Sequence, residues 1–412
     1  MKRILIFLWL PMAGLSLSRA ATVSTEEAVA RALAGNADLA AARLIVAEAR
    51  GRLDQAGRMP NPQAETLFRP HVNGRERSGE FGITQRFPLT ARLRLAKNVS
   101  KFELAAAEAE VADVERRLAG DVREAATRML ALNARTRLRL DQRTNSLHLV
   151  EAAKKAMALG EGAEIDALQY ELEAGQIAAR ITALEAQSNV LNARLRLLLG
   201  IRDDELVVLS GGLAEPVATT PDAARPAGKR ADQRLAEARA GAALEGARLA
   251  RASKWEDAGL GLFSEIDRNE DAPNGIQTDK RIGVRFSLPL PLWNKNRGRI
   301  ASADAAAERA EREAKALELR VHAEKMSASA EMRGAFNTLR RVSDELLPQA
   351  RLIESRITSA RSRGQASITD LLRARERRLD LEAAQLDALE DYHLAAARLM
   401  TAGGSAHEKS KP

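Results

Sequence analysis

Apolar positions recur with two different periods along the chain. Leu104, Val111, Val114, Leu118, Val122, Ala125, Met129 and Leu132 step by 7, 3, 4, 4, 3, 4 and 3, the spacing of a coiled-coil seam. No Pro interrupts Ala91 to Leu159 and the only Gly there is Gly120, so one helix of about 100 Å is predicted. A second long helix is predicted over about 299–362, kinked at Pro348 because proline removes a helix bond and clashes with the preceding turn. Leu372, Leu379 and Leu386 continue by sevens in a returning helix. Four shorter runs alternate instead. Ile282, Val284, Phe286 and Leu288 oppose Arg281, Gly283, Arg285 and Ser287; Phe81, Ile83 and Phe87 oppose Glu80, Gly82, Thr84 and Arg86. Leu260, Leu262 and Ile266 form a third apolar row, and Gln63–Arg69 is the weakest strand. Gln85 and Phe263 break the alternation.

These elements come in the same order twice. Gly82, Pro88 and Leu89 match Gly283, Pro289 and Leu290 at an offset of 201, and Gly160 with Asp166 and Leu168 matches Gly364 with Asp370 and Leu372 at an offset of 204. Each copy reads as helix, two strands, a very long helix, a Gly-containing turn and a returning helix. The expected organisation is a leader over 1–20, a first repeat over 21–209, a linker over 210–229, a second repeat over 230–402 and a disordered tail over 403–412. Strands are expected at about 63–70, 80–88, 258–267 and 281–290, with long helices at about 91–159 and 299–362. The first helix of each copy is expected over Ser24–Ala56 and Arg230–Ser253. The linker follows from Pro216, Pro221 and Pro226.

Runs of about nine residues, apolar on one face and polar on the other, suit an outer-membrane barrel with lipid outside and water inside. Two soluble hairpins capping a bundle would show the same alternation. Four strands cannot close a barrel in one chain, so either several chains contribute or there is no barrel.

Charge and composition narrow the function. The chain has 412 residues, 64 Lys+Arg, 56 Asp+Glu and no Cys, which excludes disulfides, thiolate metal sites and a cysteine nucleophile. Acids and bases are interspersed, as on solvated helix surfaces, and no basic tail is set aside for nucleic acid. Lys2 and Arg3 precede an apolar run from Ile4 to Leu17, and Ser18-Arg19-Ala20 fits a cleavage site, so export through a cleaved signal peptide is expected. Fourteen residues broken by Pro11 are short for a membrane span.

No catalytic constellation emerges, and neither a metal site nor a cofactor is expected. His71, His148, His322, His393 and His407 form no i,i+4 pair; His393 falls on the sevenfold stripe after Leu386 and reads as a packed or interface residue. No Gly-x-Ser-x-Gly elbow frames a nucleophile.

The chain resembles the TolC family of outer-membrane efflux proteins, and within it the CzcC-like, heavy-metal branch. The segments that carry the resemblance are Met59-Pro60-Asn61-Pro62, the run from Gly82 to Leu89, and the run Gly283 to Ile300, which contains Pro289-Leu290-Pro291-Leu292-Trp293-Asn294. The turn segments at Gly160 and Gly364 also fit. The resemblance implies a mainly α protein with a small β part. Its homotrimer would pool four strands per chain in a twelve-stranded barrel above a long periplasmic α-barrel. It further implies a non-enzymatic exit duct in the bacterial outer membrane, with a periplasmic adaptor and an inner-membrane pump of the resistance-nodulation-division type as partners. Heavy-metal cations are the expected cargo. A duct for drug efflux or type I protein secretion, and a soluble periplasmic coiled-coil scaffold, are the competing readings.

On that frame, Gly160, Glu161, Glu164, Asp166 and Leu168, with Gly364, Gln365, Ser367, Asp370 and Leu372, are expected at the periplasmic entrance and adaptor contact. Rings of carboxylates favour cations, while acids and hydroxyls at helix starts also act as caps; the two roles can coexist. Arg86 and Arg285 are expected to face the barrel lumen. Trp293 is expected to anchor the barrel at the membrane interface, with a buried core Trp as the competing reading.

Overall fold

The computed structural model describes residues 22–70, 76–159, 164–201, 206–216, 228–271 and 275–404. The expected leader, the loop at 71–75, the turn at 160–163, most of the expected linker and nearly all of the expected tail therefore lie outside the described residues.

Elements follow in the order β1 (Thr22–Val23), α1 (Thr25–Gly35), α2 (Ala37–Gln55), β2 (Gln63–Pro70), β3 (Arg77–Phe87), α3 (Arg92–Ala158) and α4 (Glu164–Leu199). The second half continues with β4 (Val208–Leu209), α5 (Ala231–Ala252), β5 (Ala258–Asp271), β6 (Gly275–Ser287), α6 (Arg297–Arg340), a π-helical segment (Arg341–Leu346), α7 (Leu347–Ser362) and α8 (Ile368–Gly403). The chain divides into two compact units, one of 1–36, 118–223 and 328–401, the other of 37–117, 224–327 and 402–412.

The first unit is helical. Leu118, Val122, Ala125, Met129 and Leu132 of the seam are buried, and Leu379, Tyr392 and Leu394 of α8 are buried in the same unit. Ala is common at these sites, and its single methyl lets helix backbones approach closely. α1 opens with a reciprocal capping box in which Ser24 Oγ accepts from the Glu27 amide and Glu27 accepts from the Ser24 amide. That pair of bonds holds the Glu27 carboxyl below its ordinary value. Two short strands that periodicity could not show, β1 and β4, pair in parallel through Thr22–Val208 and Val23–Leu209. His393 Nε2 lies 2.8 Å from the Ala214 carbonyl oxygen, so this histidine holds a strand of backbone.

Two expectations about helices are corrected. The single helix expected over Ser24–Ala56 is two: Asn36 stands extended between α1 and α2, its amide bonded to the Ala32 carbonyl and its side chain to Leu198. At Pro348 the helix does not simply kink. The turn before it widens into the π segment, where the Leu347 amide bonds back to Val342. One inserted residue thus absorbs the missing proline donor, as π-bulges do.

The second unit holds a four-stranded antiparallel sheet in the order β2-β3-β5-β6. Its rows align Ala64, Ile83, Leu262 and Val284, and beside them Glu65, Gly82, Phe263 and Gly283. β3 and β6 start further upstream than the alternation shows, at Arg77 and Gly275. Below the sheet, the buried Arg230 side chain donates to Asp232 Oδ1 and Oδ2 (2.8 and 2.6 Å) and to Glu324 Oε2 (2.7 Å). Burial alone would raise the Asp232 carboxyl, but the bonds from Arg230 hold it below its ordinary value.

Candidate functional site

The sheet has two chemically opposite faces. Phe68, Phe81, Ile83, Leu260, Leu262, Ile266, Ile282, Val284 and Phe286 share one face, and all are exposed. Val284 is 70% and Ile282 80% exposed, which is far from the burial a core strand gives such side chains. Thr66, Ser264, Lys280 and Gln85 are polar members of this face, and the Gln85 amide is turned to backbone, donating to the Pro60 carbonyl at 2.9 Å.

The opposite face is charged. Arg285 pairs with Glu80 and lies 3.6 Å from Glu65, while Arg281 has Glu265, Asp267 and Asp279 within 4.0 Å. Two apolar side chains stand on this side, Leu67 opposite Glu80 and Phe263; Phe263 lies under the Arg285 guanidinium at 5.0 Å. Its ring also fills the space over Gly283, where a Cβ would come within 2.4 Å of the ring tip. A glycine covered by a cross-strand aromatic is a known way to keep a bare strand position packed. Arg86 and Arg285 both line a 440 Å³ cavity on this face, together with Glu65, Thr84, Asp257 and Ser287. The two arginines expected to share a lumen are therefore brought to one site. Trp293 follows β6 and is 93% exposed, with Leu290 and Leu292 exposed beside it; the buried core reading does not hold.

The turn residues gather in the first unit. α7 closes with a Schellman motif: the Gln365 amide reaches the Ala360 carbonyl (2.9 Å) and Gly364 takes φ +73°. α8 then opens on Ser367, whose Oγ accepts from the Asp370 amide at 3.1 Å and donates to Asp370 Oδ2 at 2.7 Å. The hydroxyl bond, with the Ser367 amide donating to the same carboxylate oxygen at 3.3 Å, holds the Asp370 carboxyl below its ordinary value. Asp370 is therefore a capping residue. Asp166, in the first turn of α4, accepts instead from Arg361 of α7 at 2.9 Å. One turn further in, Arg375 lies 3.8 Å from Glu173 and Tyr170 is buried; burial raises the Tyr170 hydroxyl. Leu372 lines a 230 Å³ cavity with Arg139, Glu173 and Arg180. Leu168, Ile165 and Glu164 are exposed, and Gln365 accepts from Arg363. Gly160 and Glu161 lie outside the described residues. Among the described residues no group of three or more His, Asp or Glu is placed to hold a metal ion.

Comparison with solved structures gives the architecture a place. The chain superimposes on the outer-membrane channel OprN with a TM-score of 0.76 at 21% identity, covering 92% of this chain and 89% of that one. The fold is that of the TolC-like outer-membrane channels. VceC, an outer membrane protein of Vibrio cholerae, gives a TM-score of 0.75 at 19% identity over 92% of this chain and 96% of its own. CusC, which forms a transmembrane channel, gives 0.75 at 18% identity over 94% and 95%. Residues 228–405 match the family model described as Outer membrane efflux protein. A search of curated protein sequences finds no significant match. The TolC-like fold thus spans both halves of the chain, while the family match falls on the second.

Proposed function

We propose that the chain is a member of the outer membrane efflux protein family and acts as the exit duct of a tripartite efflux system. The observation that carries this is the sheet, with a mainly apolar exposed face on one side and paired charges on the other. Exposed Val, Ile, Phe and Leu in register would be an aggregation hazard in water and are what hydrocarbon requires. The sheet also has two open edges, β2 and β6. With four antiparallel strands these edges run in opposite directions, so the β6 of one copy can continue the ladder with the β2 of the next. Three copies then supply twelve strands, with the charged face, including Arg86 and Arg285, around water.

In this reading each half of the chain is one repeat unit. Gly160, Glu161, Glu164, Asp166 and Leu168, with Gly364, Gln365, Ser367, Asp370 and Leu372, form the periplasmic entrance and the adaptor contact. Trp293 sits at the membrane interface. A pump of the resistance-nodulation-division type supplies the driving force and the duct conducts passively. Heavy-metal cations as the cargo rest on the resemblance to the heavy-metal branch that the Gly283 to Ile300 run carries. Cell fractionation followed by native mass measurement of the detergent-extracted protein tests the reading: an outer-membrane trimer is expected, and a monomer wholly in the soluble periplasmic fraction overturns it. Loss of metal tolerance on deletion of the chain, in cells with no redundant duct, tests the cargo.

A further inference from the structure

One cluster of charge has no role in that duct. At the end of the sheet where Phe87, Ala258 and Ser287 lie, α3 and α6 begin and α5 finishes. Three contacts fasten them there: Thr90 Oγ1 to the Ala252 carbonyl (3.0 Å), Asn296 Nδ2 to the Ala250 carbonyl (2.9 Å), and Arg92 to Asp257 (2.5 Å). Around this junction stand Arg94, Lys97, Lys101, Lys254, Lys295 and Arg299, all exposed. None has an ion-pair partner among the described residues, and they outnumber the nearby acids Asp54, Glu103 and Glu256. Further along α6 the pattern is the opposite: Arg309, Arg312 and Lys315 each pair with a Glu four residues away.

The bases at the junction do not serve their own helices. Neither α3 nor α6 has an acid in its first turn, and cations there oppose the helix dipole. Arg94, Lys97 and Lys101 are spaced i, i+3 and i+7, so they share one side of α3. Over that interval the helix rises about 10 Å, comparable with the depth of a headgroup layer. Beside the bases are exposed apolar side chains, Met59, Trp255, Leu290, Leu292 and Trp293. From the sheet outward the sequence is therefore apolar face, Trp and Leu, then unpaired cations. Hydrocarbon, interface and headgroup follow each other in that same order.

We propose that this junction is a binding collar for anionic phospholipid headgroups in the leaflet on the helical side of the sheet. The proposal rests on the outer-membrane reading. Each base near an anionic surface strengthens lipid association about fivefold, an effect that salt screens.

The test uses the full-length protein reconstituted in phosphatidylcholine vesicles with a trace of spin-labelled phosphatidylglycerol or spin-labelled phosphatidylcholine. Inserted wild-type protein is expected to immobilise the phosphatidylglycerol label several-fold more, with the preference falling towards unity at high salt. The triple variant Lys97→Gln, Lys101→Gln, Arg299→Gln should lose most of it, and the paired-site control Arg309→Gln, Arg312→Gln should keep it. Equal association of both labels with inserted wild-type protein overturns the proposal. So does a triple variant that keeps the lipid preference but loses capture of the adaptor, which would assign the bases to a protein partner. Failure of wild-type protein to insert at all, seen by vesicle flotation, overturns the membrane reading and the collar with it.

Discussion

Arg361 donates to Asp166 across 2.9 Å, tying the last turn of α7 to the first turn of α4. The two residues come from the corresponding turns of the two halves. Both side chains are partly shielded, at 31% and 21% exposure, so solvent weakens the pair without removing it. A double-mutant cycle with Arg361→Ala and Asp166→Asn is expected to show a coupling of about 0.5–1 kcal/mol. Hydrogen exchange at the amides of α7 and α4 near the turn would read it, and strictly additive effects would show that the pair carries no coupling.

Asp370 makes the α8 start pH-sensitive. Its folded carboxyl lies below the ordinary value of 3.8 because the Ser367 hydroxyl and amide bond the charged form. The stabilisation is therefore complete above that value and is lost as pH falls below it through the folded pKa. Amides in the first turn of α8 should exchange faster, relative to mid-helix amides, on acidification through this window. Ser367→Ala removes the hydroxyl bond but keeps the amide bond, so it should shrink the pH-dependent part, and an unchanged profile in that variant would rule out the hydroxyl as its main source.

Charge on the two faces of the sheet should act differently. Val284→Arg places a cation on the exposed apolar face, at a cost of about 2–4 kcal/mol near a bilayer midplane, and should block assembly in the membrane. Arg285→Glu removes the pairs with Glu80 and Glu65 on the charged face and should alter conductance while sparing insertion. Equal insertion of the two variants would show the facing assignment to be wrong.

Gly364 separates backbone strain from crowding. It takes φ +73° with no atom within 4 Å of where a Cβ would sit, so a substitution there meets strain alone. Gly364→Asn should be tolerated and Gly364→Val should cost about 1–2 kcal/mol of local turn stability, again read by hydrogen exchange. If the variant also lost efflux while retaining trimer insertion, the turn would be placed in the mechanism.

The long helices and the sheet were legible because each has one period and a strong contrast between faces. The upstream part of β6 was not, since Gln277, Thr278, Asp279 and Lys280 carry no apolar face to alternate with. β1 and β4 are two residues each and pair across a long stretch of chain, beyond the reach of any periodicity. Asn36 breaks a helix inside an Ala-rich stretch, and the Gly35-Asn36 pair is a stop signal that the apolar periodicity passes over. Gln85 and Phe263 looked like flaws in the strand pattern; the structure gives each a specific partner, the Pro60 carbonyl and the Gly283–Arg285 edge. At the turns, the sequence placed carboxylates near helix starts but did not distinguish capping from pairing. The structure separates them, with Asp370 on its own helix and Asp166 across to Arg361.

The π segment before Pro348 sets a phase. In an α-helix each residue advances the side chains by about 100°, so one residue accommodated as a bulge turns everything after it by that angle relative to an unbroken helix. Arg361 lies downstream of the bulge and meets Asp166 in the rotated setting. Deleting one residue from 341–346 would return Pro348 to a regular turn, with its clash and missing bond restored, and would swing Arg361 by more than a quarter of a turn. The irregular stretch thus determines, from several turns away, which side chains the far end of the helix presents to its neighbours.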